Sequence, residues 1–157
     1  EKALITVISV LSNENLIRFA RDALEKQRIQ NAAMPRDGGL DFEINHVVIP
    51  LKDTVQSDLL STLPGALEAM DNALGQDDPG DAISNNPQRI CLVHCARGAS
   101  RSVSIVMAYL MSRHSNRFKT FEEALQHVRS VRPQATPNIG FALALRQFER
   151  QLNQENT

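Results

Sequence analysis

One stretch of this sequence places a thiol, an arginine and several small residues at a spacing suited to attack on a bound oxyanion. The run Ile90-Cys91-Leu92-Val93-His94-Cys95-Ala96-Arg97-Gly98-Ala99-Ser100-Arg101-Ser102 reads as a buried strand that passes through a short loop into a helix. Such a loop gathers backbone N–H groups around one point. The helix behind it adds its unpaired first-turn amides and the positive end of its dipole. Ala96, Gly98, Ala99 and Ser100 are small enough for the backbone to close around an anion. Cys95 stands at the base of this cradle, where helix amides and a nearby cation lower a thiol pKa and make a thiolate nucleophile. Arg101, six positions on, has a planar fork that can hold two oxygens at once, which lysine lacks. Ser102 is placed to give a hydrogen bond to the sulfur, and His94 reads as an orienter of the loop rather than a base.

The segments around this run must position it. Ala3–Leu11 reads as a buried strand, and Phe42–Ile49 as a second strand ended by Pro50. Arg89–Val93 is the third. Ser12-Asn13 offer caps for a helix carrying Leu16, Ile17, Ala20, Ala23 and Leu24 at helical spacing. Ser57–Leu74 presents Leu60, Leu63, Leu67, Met70 and Leu74 on one face, and Ser102–Arg113 turns Val103, Val106, Met107 and Leu110 inward. Thr120-Phe121-Glu122-Glu123 has the form of a capping box, opening a helix with the stripe Phe121, Leu125, Val128 and Val131. Thr136-Pro137 are read as the cap and first residue of a last helix that buries Phe141, Leu145, Phe148 and Leu152. Met34–Gly39 and residues 75–88 read as loops, the latter a polar surface insertion. Strands interleaved with helices predict an α/β domain: a central sheet flanked by helices, with a C-terminal group of three helices stacked on one face.

The 157 residues suit a single domain, 42% hydrophobic and 22% charged. A formal net charge of −1 gives no global attraction to nucleic acid or to an anionic membrane, so affinity for phosphate must be local. No apolar run approaches the roughly 20 residues of a membrane span. Cys91 and Cys95 make a poor disulfide framework and no metal cluster, so no cofactor or metal is expected, and a reducing compartment, cytoplasm or nucleus, fits. Cys91 reads first as a core thiol and only second as a redox partner of Cys95. His46, His114 and His127 read as ordinary histidines, and Arg129 and Arg132 as a solvated helix edge.

The motif His94-Cys95-x-x-Gly98-x-Ser100-Arg101-Ser102 resembles the signature of cysteine-based protein phosphatases in the form found in dual-specificity phosphatases. Ala108-Tyr109-Leu110-Met111, Val131-Arg132-Pro133, Pro137-Asn138 and Gly140-Phe141 resemble the same group. The likeness runs from about Leu4 to Leu152. It implies a protein-tyrosine-phosphatase-like sheet and a phosphate site formed by Ala96, Arg97, Gly98, Ala99, Ser100 and Arg101. It implies Cys95, Arg101 and Ser102 as catalytic residues, with His94 and Asn138 in support, the latter propping the phosphate loop. Arg97 departs from the alanine commoner at its position. The family draws a general acid from a loop upstream, and Leu51-Lys52-Asp53-Thr54 matches it, with Asp53 as the acid. Asp53 precedes Cys95 by 42 positions. That is more than the family usually shows, and the insertion at 75–88 accounts for it. Asp58, at a helix start, competes for the role.

The implied activity is hydrolysis of phosphotyrosine and phosphoserine/threonine on phosphoproteins through a cysteinyl-phosphate. The alternatives are a phosphatase of phosphoinositides or RNA 5′-phosphates, and a phosphate-binding pseudophosphatase scaffold. Arsenate reduction or sulfur transfer is a weaker rival. The family's N-terminal strand–turn segment has no counterpart ahead of Ala3, and the chain begins without Met, so residues 1–157 read as one catalytic domain cut from a longer polypeptide.

Overall fold

The computed structural model describes residues 3–33, 42–75 and 89–155. Three strands, β1 (Ala3–Leu11), β2 (Phe42–Pro50) and β3 (Arg89–Cys95), form a parallel sheet in the order β2-β1-β3. β1 lies between the other two, and its nearly unbroken apolar sequence is what a strand covered on both faces requires. The chain runs from β1 through helix α1 (Glu14–Ala33) to β2, then back across β1 through helix α2 (Leu59–Leu74) to β3. Right-handed crossovers in opposite directions put α1 and α2 on opposite faces. Cys95 therefore ends β3 at the carboxyl edge of the sheet, beside the point where the strand order reverses, which is where open α/β sheets leave a crevice.

Alternation along the strands sorts the side chains between the faces. Thr6, Ile8 and Val10 share one face with Cys91, Val93 and Cys95 and meet the helices α2 and α3 (Arg101–Arg113). Ser9 lies on the other face with His46 and His94. α1 packs on β1 and β2, and Ile90 and Leu92 of β3 stay exposed on its side of the sheet. The α1 stripe read from spacing is only partly inward: Ile17, Ala20 and Leu24 are half-buried, but Leu16 and Ala23 are exposed.

Helices α2, α3, α4 (Phe121–Val131) and α5 (Ile139–Glu155) cover the core face. Ile8, Leu59, Leu63, Ile105, Met107, Phe141 and Leu145 are almost fully enclosed there. Each such side chain contributes about 1.5–3 kcal/mol by burial. The Arg146–Glu122 pair joining α5 to α4 is exposed and contributes about 0–1 kcal/mol, so packing and not charge holds α5 in place. α3 is the central helix, touching β1, β3, α2, α4 and α5. That explains why Ser104, Ile105, Ala108 and Met111 are buried along with the expected Val103 and Met107. The Arg113 guanidinium makes a two-pronged contact with Asp71 of α2, holding that carboxyl below its usual range. The Thr120–Glu123 capping box is formed as expected, but Val131, at the far end of α4, is 79% exposed instead of completing the stripe.

The last helix starts later than the sequence suggested. Asn138, not Thr136, caps it: Asn138 Oδ1 accepts from Phe141 N at 2.9 Å. The expected loop at Met34–Gly39 and the insertion at 75–88, apart from Gly75, lie outside the described residues. No helix among the described residues is long and apolar enough to cross a membrane.

Gly65 sits mid-α2 with nothing within 4 Å of where a Cβ would stand. Gly65→Ala is therefore expected to stabilise the domain by about 0.5–1 kcal/mol, a rise of about 1–4 °C in Tm by calorimetry. A fall in Tm would mean that this helical turn needs glycine.

Candidate active site

The loop from Ala96 to Ser100 is built inside out, with its carbonyls tied down behind it. Thr136 N donates to the Ala99 carbonyl at 2.7 Å, Arg132 Nη2 to the Arg97 carbonyl at 3.3 Å, and Arg132 Nε to the Gly98 carbonyl. With those carbonyls held by the segment that follows α4, the amides turn toward the sulfur. Gly98 has φ +58°, which favours glycine, and a Cβ there would also displace the Arg132 guanidinium from the loop carbonyls. Ser100 occupies the N-cap of α3 but makes no side-chain cap bond. Its hydroxyl goes to Asp53 instead, at 2.8 Å, so it does not cap the first-turn amides of α3, which point toward the site.

Cys95 is buried beneath this loop, 3.2 Å from Ser102 Oγ. Burial alone would raise its pKa. Hydrogen bonds from the Ser102 hydroxyl and from the amides of Ser102, Gly98 and Arg97 outweigh that and hold it below an ordinary thiol. Cys91 has no such donors among the described residues, and burial pushes its thiol up. The two thiols share a face of one strand, about 13 Å apart at the usual rise per residue, far beyond disulfide reach. The redox pairing weighed for Cys91 is therefore excluded in this fold, and both cysteines are free.

Arg101 is 7% exposed, although its head group is charged. Nη1 reaches the Leu51 carbonyl at 3.5 Å, and Nε stands 3.9 Å from Asp53 Oδ2 with no hydrogen-bond acceptor among the described residues. A buried, unpaired N–H costs about 1–3 kcal/mol, more when charged, so it marks a position for an incoming anion.

Asp53 lies in the loop after β2, where the sequence placed it. Its Oδ1 accepts from both Ser100 Oγ and Asn138 Nδ2 at 2.8 Å, and its Oδ2 faces Arg101. Asn138 thus does three things. Its Oδ1 caps α5, its Nδ2 holds the carboxylate, and its backbone N–H donates to Ser100 Oγ at 3.0 Å. Asp58, the competitor, is occupied as the N-cap of α2, accepting from Ser61 N at 3.0 Å.

His94 stands on the opposite face from Cys95, and Ser9 Oγ lies between its Nε2 at 2.6 Å and that of His46 at 2.7 Å. One hydroxyl has one proton, so Ser9 can donate to only one of the two rings and at least one ring donates to it, which ties both histidines to β1. His46 is kept below its usual pKa by burial, then by the charges of His94 and Arg21. Sequence reading missed Ser9, His46 and Arg132 as parts of the site's support. Only Arg132 left a signal, as the centre of Val131-Arg132-Pro133.

The dual specificity phosphatase catalytic-domain profile matches residues 22–151. Over 61 residues the chain is 52% identical to dual specificity protein phosphatase 1 of Arabidopsis thaliana, covering 39% of this chain and 29% of that protein. It is 38% identical over 104 residues to dual specificity phosphatase 28 of Mus musculus, 66% of this chain and 55% of that one. The chain thus spans between about a third and half of the length of these relatives. The crystal structure of human DUSP28 superposes with a TM-score of 0.63 at 25% identity, covering 96% of this chain and 80% of that one. A Cys95–Arg101 cradle at the carboxyl edge of a parallel sheet, with this profile across most of its length, places the chain in the dual specificity phosphatase catalytic-domain family.

Proposed function

We propose that residues 1–157 act as one catalytic domain that hydrolyses phosphotyrosine and phosphoserine/threonine monoesters on proteins through a cysteinyl-phosphate. The observation that carries this reading is a sulfur ringed by the Ser102 hydroxyl and the amides of Arg97, Gly98 and Ser102, beside an arginine whose Nε lacks an acceptor among the described residues. The Cys95 thiolate attacks phosphorus, forming an S–P bond as the ester P–O bond breaks. Asp53 gives its proton to the departing oxygen, and Arg101 with the loop amides of residues 96–101 holds the three remaining oxygens. Water then attacks the phosphocysteine and passes a proton to Asp53. The S–P bond breaks, phosphate leaves, and the Ser102 hydroxyl steadies the returning thiolate. His94 and Asn138 support the arrangement without touching the reacting atoms.

Ala96 and Arg97, which follow Cys95, are exposed, so the loop over the sulfur lies at the protein surface. Such a shallow site suits the short arms of phosphoserine and phosphothreonine as well as phosphotyrosine. A thiolate nucleophile suits a reducing compartment, the cytoplasm or nucleus, with phosphoproteins as partners. The purified domain is expected to hydrolyse a small aryl phosphate and to be blocked by vanadate. It should prefer phosphopeptides over phosphoinositides and RNA 5′-phosphates assayed beside them. Binding of vanadate without turnover would favour a scaffold instead, and a preference for lipid or RNA would reassign the substrate.

A further inference from the structure

The side of the site that carries the acid is rimmed by exposed hydrocarbon. Val55, two residues after Asp53, is 51% exposed, and Ile139 and Leu143 at the start of α5 are 63% and 60% exposed. Scattered apolar residues on a surface need no explanation, but these three are joined. Ile139 and Leu143 stand one turn apart on the same face of α5. Gly140 between them lies against the backbone of Val55, so closely that a Cβ would run into the Val55 carbonyl. Further along the same face come Arg146, Gln147 and Arg150, all exposed and polar. The outward face of α5 is therefore apolar only at the end that touches the acid loop.

We propose that Val55, Ile139 and Leu143 form a platform for an aliphatic or aromatic side chain of the phosphoprotein substrate, within three residues of the phosphorylated one. This rests on the protein-phosphatase reading above. Reach supports it. Ile139 directly follows Asn138, whose side chain lies 2.8 Å from the Asp53 carboxylate. An extended peptide covers about 3.3–3.6 Å per residue, so a neighbour one to three positions from the phosphoresidue is within reach of this patch. The occupant is substrate and not a resident partner, because anything seated permanently on Val55 and Ile139 would crowd Asp53 and stop the reaction.

The test is a phosphopeptide series in a polar background, with leucine moved through each of the three positions on either side of the phosphoresidue. The readout is kcat/KM for each peptide divided by that for a small aryl phosphate. Leucine at one or two positions is expected to raise the ratio about fivefold to tenfold over serine, the scale of one partly buried aliphatic side chain. The gain should persist from low to high salt, unlike a charge-based preference. It should vanish in Leu143→Ser and survive in Leu143→Met, with melting curves showing that both variants are folded. A flat series, or a preference untouched by Leu143→Ser, overturns the platform while leaving the phosphatase reading intact. Absence of aryl phosphate turnover in the unaltered protein overturns that reading, and the platform with it.

Discussion

A Cys95→Ser protein is expected to keep its fold and its hold on oxyanions while turnover falls by at least about 10³-fold. The two side chains have nearly the same shape, and the bond from Ser102 Oγ, 3.2 Å from the sulfur, has an oxygen to replace it. The ionisation is what changes. The donors from Ser102, Gly98 and Arg97 that bring the Cys95 thiol below its ordinary range cannot bring an alcohol into the same range. Oxyanion binding should hold or improve, because a dianion entering the loop no longer meets a sulfur anion a few ångströms away, while Arg101 and the free amides of α3 remain. Steady-state assay and vanadate binding by calorimetry measure the two halves. Retained hydrolysis would remove Cys95 as nucleophile, and lost binding would mean that the sulfur shapes the cradle. In the unaltered protein, iodoacetate below neutral pH should label Cys95 well before Cys91, whose thiol burial has raised.

Much of this site was legible because its parts are adjacent in sequence. The strand, the loop and the helix start from Ile90 to Ser102 announce themselves through apolar residues, small residues and an arginine in order. The acid could be placed because a strand and Pro50 fix where its loop begins. What failed were features decided by tertiary packing. Thr136 and Asn138 are both capping residues, and spacing favoured Thr136 because Pro137 follows it. Asn138 caps α5 because its amide is already committed to Asp53, 85 positions away in sequence. Arg132 looked like a solvated edge because its acceptors are backbone carbonyls of residues 97 and 98, which no residue type reveals. The same holds for Ser9 and His46, joined to His94 only by strand register. The depth of α3 was underestimated because periodicity within one helix cannot count the five elements that surround it.

Replacing Asp53 by asparagine should divide substrates by their leaving groups. Asparagine keeps the acceptor that Ser100 and Asn138 hold but carries no proton to give. Esters of weakly basic phenols depart without protonation and should lose only a few-fold in kcat/KM. Phosphoserine peptides, whose alkoxide is a strong base, should lose about 10²–10³-fold, the usual worth of a positioned acid. The pH profile supplies an independent sign. In the unaltered protein kcat/KM rises as the Cys95 thiol ionises, over a range below that of an ordinary thiol. Asp53→Asn should leave that rise in place, because it belongs to Cys95. Asp58→Asn is the matching control. Asparagine caps a helix about as well as aspartate, so the bond to Ser61 N is kept and neither substrate class should respond. An equal loss on both leaving groups in Asp53→Asn would reduce Asp53 to a structural anchor for Ser100 and Asn138. A loss confined to poor leaving groups in Asp58→Asn would hand the acid role to the other carboxylate.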